Sequence, residues 1–220
     1  MRDRYQAQRR ELVERVRERG IDDLEILRLF DMVPRHEFVP EAVWHRAYED
    51  APLPIGFGQT ASQPSLQALY LQILQVQPRE KVLEIGTGSG FLTALLAQLA
   101  ERVYSVERIR ELSVRARAAL DRLRIANAAL HVGDGTIGWS RYAPYDAILV
   151  SAAAPDIPAP LLDQLAAGGR MLVPVGSRDV QRLMLVRRGP EGIEYTEVLD
   201  CTFVPLLGRF GWTEPGRATP

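Results

Sequence analysis

From residue 64 onward, apolar positions along the chain follow two spacings, one typical of helices and one typical of short buried strands. In the first segment, apolar residues recur at intervals of three and four, at Leu66, Leu69, Tyr70, Ile73 and Leu74. This spacing predicts an amphipathic helix, and similar patterns predict helices over 92–99, 109–123 and 159–166. Short apolar runs predict strands at 81–86, 102–107, 129–132, 145–150 and 170–175. Strands that alternate with helices favour an α/β fold with a doubly wound, mostly parallel sheet.

The first 48 residues are predicted to form a helical N-terminal addition to this core. Leu12, Val13 and Val16 fall on one face of a first helix, and a second helical segment runs from Asp22 to Met32. Arginines alternate with glutamates around the first helix, which is typical of a solvated helix surface.

The end of the chain has a different strand pattern. Segments 181–188 and 193–204 flank the turn sequence Gly189–Gly192, which predicts an antiparallel C-terminal hairpin at the sheet edge. We therefore interpret residues 1–220 as a single domain. Its predicted parts are the helical addition (1–48), an irregular loop (49–63), the α/β core (64–176), C-terminal strands (177–212) and a loose tail (213–220).

The irregular stretch from 50 to 63 is rich in Pro, Gly, Gln and Thr. A connection of this length inside a compact domain is usually either functional or disordered. We expect Leu53, Ile55 and Phe57 to be buried, which argues against disorder. The stretch is therefore predicted to be a functional loop.

Composition and charge narrow the possible partners. The chain has 220 residues, of which 46% are hydrophobic and 25% charged, as in an ordinary globular domain. A net charge of −1 provides no excess of positive charge for binding nucleic acid. No apolar run approaches about 18 residues, and the polar N-terminus lacks a signal-peptide pattern. We expect a cytoplasmic protein that binds neither nucleic acid nor membranes.

Cysteine and histidine do not indicate a nucleophile or a metal site. Cys201 is the sole cysteine, so no intramolecular disulfide can form, and we interpret it as a packing residue. His36, His45 and His131 are scattered and lack the spacing of a ligand set. We expect the histidines to be structural or surface residues, and we expect no metal.

The most informative segment runs from Val82 to Gly90, where a strand pattern leads into a Gly-x-Gly-x-Gly loop. Glycine in such a loop lets backbone N–H groups approach a ligand without obstruction by side chains. A dinucleotide fingerprint would place its third glycine at position 91, where this chain has Phe91. The loop is therefore similar to the S-adenosylmethionine loop of class I methyltransferases.

Acidic residues stand at the carboxyl ends of consecutive predicted strands, where ligands of open α/β sheets bind. Glu84 precedes the glycine loop, Glu107 ends the next strand and Asp134 follows the third. The two oxygens of Glu107 match the vicinal hydroxyls of a ribose, and the Asp134 carboxylate with a backbone N–H matches an adenine edge. Each acid alone could be a solvated loop residue or a helix cap. Three acids at the ends of consecutive strands together favour a nucleotide-like ligand.

Over residues 33 to 207 the chain resembles the protein-L-isoaspartate O-methyltransferase family. The narrowest matches are the Gln-Thr-Ala-Ser-Gln-Pro segment at 59–64 and the Ala-Ala-Ala-Pro run at 152–155, which separate this family from other methyltransferases. Further matches are Val33–Pro40, Leu53–Gly56, the glycine loop, Tyr104–Arg108, Gly133–Gly135, Ala143–Ile148 and Phe203–Leu206. The resemblance implies a Rossmann-like fold. It also implies that methyl transfer from S-adenosylmethionine to isoaspartyl carboxylates in damaged proteins and peptides initiates repair and releases S-adenosylhomocysteine.

The resemblance also implies roles for individual residues. Residues 49–63 would be the active-site loop, in which Ser62 matches the active-site residue and binds the substrate together with Thr60. The peptide would lie along Phe203 and Val204. Residues implied to contact the cofactor are Gln59, Thr60, Ala61, Glu84, Gly86, Thr87, Gly88, Glu107, Arg108, Asp134 and Gly135. The family often has a branched residue in place of Ala61, which affects the expected width of the pocket.

This chemistry is compatible with a sequence that offers no strong catalytic base. The attacking carboxylate is already ionised at pH 7, so the enzyme mainly has to align it with the methyl group. Such orientation can supply up to roughly 7–11 kcal/mol of a reaction barrier. We therefore predict that the Ser62 hydroxyl orients the carboxylate by hydrogen bonding and is not a nucleophile.

The residues taken alone leave other interpretations open. Ser62, two positions before Pro64, is also typical of a helix N-cap. The strand-end acids would equally serve a methyltransferase that acts on a small molecule or on RNA. A nicotinamide-dependent oxidoreductase and a cofactor-binding module without catalysis are the alternatives from other classes. We expect a monomer whose partners are isoaspartyl proteins and peptides.

Overall fold

The computed structural model describes residues 4–213 and is built around a seven-stranded sheet. The helices are α1 (Gln6–Glu18), α2 (Leu24–Met32), α3 (Pro64–Leu74), α4 (Phe91–Leu99), α5 (Arg110–Arg122) and α6 (Ala159–Asp163). The strands are β1 (Leu53–Gly56), β2 (Gln59–Ala61), β3 (Lys81–Ile85), β4 (Arg102–Glu107), β5 (Ala128–Val132), β6 (Tyr145–Val150), β7 (Leu165–Gly176), β8 (Gln181–Gly189) and β9 (Gly192–Cys201). Apart from Thr213, the predicted tail at 213–220 lies outside the described residues.

The strand order in the large sheet is β5-β4-β3-β6-β7-β8-β9. The first five strands in this order, β5, β4, β3, β6 and β7, are parallel to one another. Strands β8 and β9 add an antiparallel hairpin at one edge. The prediction of a doubly wound, mostly parallel sheet with a C-terminal hairpin is confirmed. Chain order reverses between β3 and β6, which is where open α/β sheets form a ligand-binding crevice.

Most predicted strands agree with the structure to within a residue or two, but β7 begins at Leu165, five residues before the predicted start at 170. The pairing of β6 with β7 shifts between Tyr145 and Ala147, so residues 166–169 form an irregular bulge. Gly168 has a φ of +76° within this bulge. Gly168 and Gly169 interrupt the apolar run from which the strand is predicted, so its first part is not recognised. Because β7 begins at Leu165, α6 ends at Asp163, before the predicted end at 166.

Side chains on the central strands alternate between two apolar clusters, one on each face of the sheet. The larger cluster includes Val82 and Leu149 together with residues of helices α1 to α5. The smaller includes Leu83, Ile148 and, from α6, Leu161. Among the described residues, no helix combines the length and apolar character needed to cross a bilayer.

The N-terminal helices agree with the predicted pattern. Leu12 and Val16 of α1 are buried and Val13 is partly buried. Helix α2 begins at Leu24 because the Asp23 carboxylate caps it by accepting hydrogen bonds from the first-turn N–H groups.

Helix α3 is buried over a wider surface than its predicted apolar stripe. Tyr70 and Leu74 are buried, whereas the other stripe residues are only partly buried. Gln67, Ala68 and Leu71, which lie outside the stripe, are buried as well. The reason is that α3 packs against α1 and α2 and also against β7.

The stretch 50–63 contains a small antiparallel sheet of β1 and β2, so the prediction of an irregular loop was wrong in this respect. Leu53 and Ile55 are buried as predicted. Phe57 is 50% exposed, because it occupies the turn between the strands with a φ of 56°. The Arg115 guanidinium of α5 lies over its ring at 5.4 Å.

Candidate active site

The carboxyl ends of β3, β4 and β6 open into a cleft at the reversal of strand order. Its walls include the end of β2, the glycine loop, the turn after β4 and the chain that follows β9. The predicted site residues that line it are Gln59, Thr60, Ala61, Ser62, Gly86, Thr87, Gly88, Glu107, Arg108, Gly135 and Val204. The other predicted residues, Glu84, Asp134 and Phe203, lie outside this lining.

The glycine loop has a backbone conformation that requires glycine. Gly86, Gly88 and Gly90 have φ values of +93°, +52° and +86°, which residues with a Cβ rarely adopt. At Gly90 an added Cβ would also lie 2.8 Å from the Ala116 Cβ, where the loop approaches α5. The loop therefore turns sharply from β3 into α4 and presents backbone to the cleft.

Behind the loop, Glu84 is fully buried and accepts hydrogen bonds from two hydroxyls. Thr93 Oγ1 and Ser105 Oγ donate to Glu84 Oε2 at 2.5 and 2.6 Å. Thr87 Oγ1 lies 2.5 Å from Ser105 Oγ, and we assign Thr87 as the donor because the Ser105 proton is directed to Glu84. This chain of hydroxyls ties the loop to its strands, so Glu84 supports the loop from behind and does not itself line the cleft.

Burial raises the pKa of Glu84 from 4.5 to about 7, although the hydrogen bonds from Ser105 and Thr93 oppose the shift. Its Oε1 atom is buried and has no hydrogen-bond partner among the described residues. The pKa is raised because an ionised carboxylate is costly in an apolar interior, and more so when one of its oxygens has no hydrogen-bond partner.

Glu107 ends β4, is 7% exposed and lines the cleft. Its Oε2 accepts a hydrogen bond from the Gly88 N–H at 2.9 Å, and its Oε1 accepts one from the Ile109 N–H at 2.8 Å. Each carboxylate oxygen can accept a further hydrogen bond. The side chain is therefore oriented and still able to receive the two hydroxyls of a ribose.

Asp134 follows β5, and its carboxylate binds a distant part of the chain. Oδ1 accepts hydrogen bonds from the Thr136 N–H at 2.8 Å and hydroxyl at 2.7 Å, and Oδ2 accepts one from the Arg209 N–H at 2.8 Å. Gly208 packs so closely that an added Cβ would lie 2.0 Å from Asp134 Oδ1. A carboxylate has about four acceptor positions. One on Oδ2 thus remains for an adenine edge, next to Gly135 in the cleft wall.

We call residues 203–212 the C-terminal strap, and residues 204–207 of this strap line one wall of the cleft. The Ala153 N–H donates to the Val204 carbonyl at 2.8 Å, which holds the strap against the end of β6. Phe203 stacks on Tyr70 with ring centroids 6.1 Å apart. Of the two predicted peptide-binding residues, Val204 therefore lines the cleft and Phe203 packs behind it.

Ser62 follows β2, and the backbone around it is held from two sides. Its carbonyl accepts a hydrogen bond from Arg35 Nη2 at 3.1 Å. The N-cap position of α3 is Gln63, and Asp50 Oδ1 accepts a hydrogen bond from the Ser65 N–H at 2.8 Å. Asp50 thus performs the capping that the sequence also allowed for Ser62, and Ser62 lies in the cleft wall.

Gln67 of α3 and Ser151 after β6 also line the cleft, although the sequence did not identify them as site residues. Gln67 is only 4% exposed, and its Oε1 has no hydrogen-bond partner among the described residues. The same holds for Ser151 Oγ, which is also buried. An unsatisfied buried polar atom costs about 1–3 kcal/mol. A polar ligand in the cleft would satisfy both atoms.

Two of the histidines and the cysteine lie in packing contacts with other side chains or with the protein interior. His36 Nδ1 lies 2.6 Å from the Tyr48 hydroxyl, and the His131 ring stacks on Trp139 with centroids 4.8 Å apart. Burial, followed by the nearby Asp200 charge, raises the pKa of Cys201 to about 11, which keeps its thiol neutral at pH 7. Within residues 4–213, no group of His, Cys, Asp and Glu could hold a metal ion.

Curated relatives match almost the whole chain. It is 54% identical over 194 residues to protein-L-isoaspartate O-methyltransferase 1 of Syntrophobacter fumaroxidans, covering 88% of this chain and 91% of the relative. It is 50% identical over 217 residues to the protein-L-isoaspartate O-methyltransferase of Syntrophus aciditrophicus, covering 97% and 100% of the two chains.

Solved structures agree with the sequence relatives. A protein-L-isoaspartate O-methyltransferase structure superimposes with a TM-score of 0.85 at 30% identity, covering 92% of this chain and 67% of that one. A Plasmodium falciparum protein described by the same activity, in complex with S-adenosyl-L-homocysteine, superimposes with a TM-score of 0.79 at 27% identity and coverage of 90% and 97%. The family model for protein-L-isoaspartate(D-aspartate) O-methyltransferase matches residues 7–211. The chain therefore belongs to the protein-L-isoaspartate(D-aspartate) O-methyltransferase family.

Proposed function

We propose that this chain transfers the methyl group of S-adenosylmethionine to the free carboxylate of isoaspartyl residues in damaged proteins and peptides, which initiates their repair. The observation that carries this proposal is a single cleft in which the Gln59–Ser62 segment and the glycine loop both form walls. Family membership supports the same reaction. It favours a methyltransferase over the oxidoreductase and non-catalytic alternatives.

The residues of the cleft fit S-adenosylmethionine, which when bound supplies an electrophilic methyl group on its sulfonium sulfur. Glu107 would accept the ribose hydroxyls, and Asp134 with Gly135 would contact the adenine edge. The buried polar atoms of Gln67 and Ser151 would pair with polar groups of the ligand. The Plasmodium falciparum relative, solved with S-adenosyl-L-homocysteine, supports the same class of cofactor.

The other site residues would bind and orient the substrate. The isoaspartyl carboxylate is ionised at pH 7, so no residue has to remove a proton from it. The hydroxyls of Ser62 and Thr60 would donate hydrogen bonds that hold one carboxylate oxygen in line with the methyl group. An extended peptide would lie along the strap at Val204, with Phe203 supporting the strap from behind through its stacking on Tyr70. Ser62 would act as an orienting donor and would form no covalent bond.

The domain organisation, oligomeric state and location that we propose rest on the sequence. We treat residues 1–220 as one domain that acts as a monomer in the cytoplasm, with no nucleic-acid or membrane partner. The shared apolar cluster supports a single domain, since the N-terminal helices and the sheet contribute to it together. The near-neutral net charge of −1 supports the absence of a nucleic-acid partner.

Replacing Ser62 with alanine tests the assignment of the active-site residue. We expect Ser62→Ala to lower kcat by about 10- to 150-fold, since a hydrogen bond to a charged group contributes about 1.5–3 kcal/mol. Its Kd for S-adenosylhomocysteine should stay within about twofold of the parent value. Ser140→Ala, at an exposed position away from the cleft, is the matched control. Unchanged turnover, or loss of cofactor affinity together with turnover, would show that Ser62 has another role.

A further inference from the structure

The Val33–Pro40 segment contains a buried guanidinium that the reaction described so far does not use. Arg35 begins a short 3-10 helix, and its side chain has 0% exposure. Its Nη1 donates to the carbonyls of Ala47 and Glu49 at 2.8 and 3.1 Å. Its Nη2 donates to the carbonyls of Ala51 and Ser62, both at 3.1 Å.

These carbonyls belong to the two ends of the β1–β2 hairpin. Ala47, Glu49 and Ala51 lie on the chain that enters β1, and Ser62 is the first residue after β2. One planar guanidinium therefore joins the entry and the exit of the hairpin, with its donors in a fixed fork. Because the hairpin ends at the cleft wall, this junction sets where Ser62 stands relative to the glycine loop.

Asp50 holds the same segment on its other side. Its Oδ1 accepts a hydrogen bond from the Ser65 N–H at 2.8 Å, and its Oδ2 accepts one from Gln63 Nε2 at 2.9 Å. Arg35 thus fixes the carbonyl of Ser62, and Asp50 fixes the start of the helix that follows Ser62. Rotation of the Ser62 carbonyl would break its hydrogen bond with Arg35. Asp50 holds Gln63 and Ser65, at the end of the loop and the start of the helix.

A fully buried cation is an expensive way to stabilise a fold, because the desolvation cost offsets most of its attraction to nearby charges. Burial lowers the pKa of Arg35 to about 10, against the attraction of Asp50, Tyr48 and Glu49, so the group is still charged at pH 7. The best-attested use of such groups is to select one arrangement of the chain among several. Arg35 would select one relative position of the two ends of the β1–β2 hairpin.

We propose that Arg35, together with Asp50, is a positioning residue for methyl transfer, which acts by fixing the backbone at Ser62. Arg35 does not line the cleft, so it would touch neither substrate nor cofactor. The inference rests on the orienting role proposed for Ser62. The buried guanidinium would thus fix the geometry of the hairpin exit and not only stabilise the fold.

A double-mutant cycle of Arg35→Lys with Ser62→Ala tests this inference. Lysine keeps the charge but lacks the planar fork needed to hold four carbonyls at once. We expect Arg35→Lys to lower kcat for an isoaspartyl peptide about tenfold, with the Kd for S-adenosylhomocysteine unchanged within twofold. In the Ser62→Ala background the same substitution should lower kcat less than twofold, because the hydroxyl that Arg35 positions is already absent.

Arg117→Lys is the matched control, since Arg117 also donates to two backbone carbonyls, at 2.8 and 2.9 Å, but lies outside the cleft lining. It should leave kcat unchanged. Active enzyme is counted by titration with S-adenosylhomocysteine, so that partial unfolding does not lower the measured kcat. If Arg35→Lys does not fold, Asp50→Asn takes its place and should show the same dependence on Ser62.

An equal loss of kcat in both backgrounds would overturn the inference and leave Arg35 a purely structural residue. A fall in S-adenosylhomocysteine affinity that accounts for the lost activity would overturn it as well. If Ser62→Ala alone has no effect, the role of Ser62 is wrong instead. The single mutant therefore separates the failure of the proposed function from the failure of this inference.

Discussion

The backbone N–H of Gly88 donates a hydrogen bond to Glu107 Oε2 at 2.9 Å, so the glycine loop and the acid at the end of β4 form one unit. The contact follows from the parallel register of β3 and β4, in which Ile85 pairs with Val106. The residues that follow these partners emerge together at the carboxyl edge of the sheet. Two features recognised separately in the sequence are therefore parts of the same wall.

Replacing Glu107 with alanine should weaken cofactor binding. We expect Glu107→Ala to lower the affinity for S-adenosylhomocysteine by about 1.5–3 kcal/mol, the scale of hydrogen bonds to a charged group. Isothermal titration calorimetry measures this directly, with Glu111→Ala as an exposed acidic control on α5. Unchanged affinity for Glu107→Ala would refute the ribose assignment.

The buried carboxyl of Glu84 should make stability depend on pH. Its folded pKa of about 7 exceeds the usual 4.5, so the native state binds more protons than the unfolded state between these values. The free energy of unfolding should therefore fall as pH rises from 5 to 8, by on the order of 3 kcal/mol from this group.

Glu84→Gln removes this titration while its amide oxygen can still accept hydrogen bonds from Thr93 and Ser105. Urea unfolding of both proteins at several pH values should show a smaller decline with pH for the variant. Glu111→Gln, on the exposed face of α5, should keep the parent dependence. Parallel pH profiles for Glu84→Gln and the parent would contradict the assignment.

Gly208→Ala should displace the C-terminal strap from the cleft. The new Cβ would lie 2.0 Å from Asp134 Oδ1, so the contact of Asp134 with the Arg209 N–H must lengthen or break. We expect KM for the isoaspartyl peptide to rise at least several-fold, and hydrogen exchange in residues 203–212 to accelerate. Gly189→Ala, whose Cβ would have contacts no closer than 3.7 Å, is the control. If Gly208→Ala behaves like this control, the strap is not a wall of the binding site.

Much of the α/β core could be predicted because its signals are local. The spacing of apolar residues from residue 64 onward identifies the strands and helices. Parallel pairing of neighbouring strands then places Glu107 beside the glycine loop. The β1–β2 hairpin was missed because its strands have only four and three residues. Leu53, Ile55 and Phe57 do alternate, but a run this short, with Pro54 inside it and Gly56 and Gly58 near its end, is also typical of a loop.

Contacts between distant parts of the chain could not be predicted in the same way. The hydrogen bond between Asp134 and Arg209 joins residues 75 positions apart, and no local pattern indicates it. Gln67 looks like a solvent-facing position in an amphipathic helix, but α3 is buried on both sides. The contact between Arg35 and Ser62 spans 27 positions and depends on the hairpin that was itself missed.

The substrate is tested most directly with paired peptides that differ only in having aspartate or isoaspartate at one position. Each peptide is incubated with the enzyme and S-adenosylmethionine labelled in its methyl group, and the base-labile label of a methyl ester is then counted. We predict labelling of the isoaspartyl peptide and background counts for its aspartyl partner. Equal labelling of the two peptides, or no labelling of either by enzyme that binds S-adenosylhomocysteine, would contradict the proposed function.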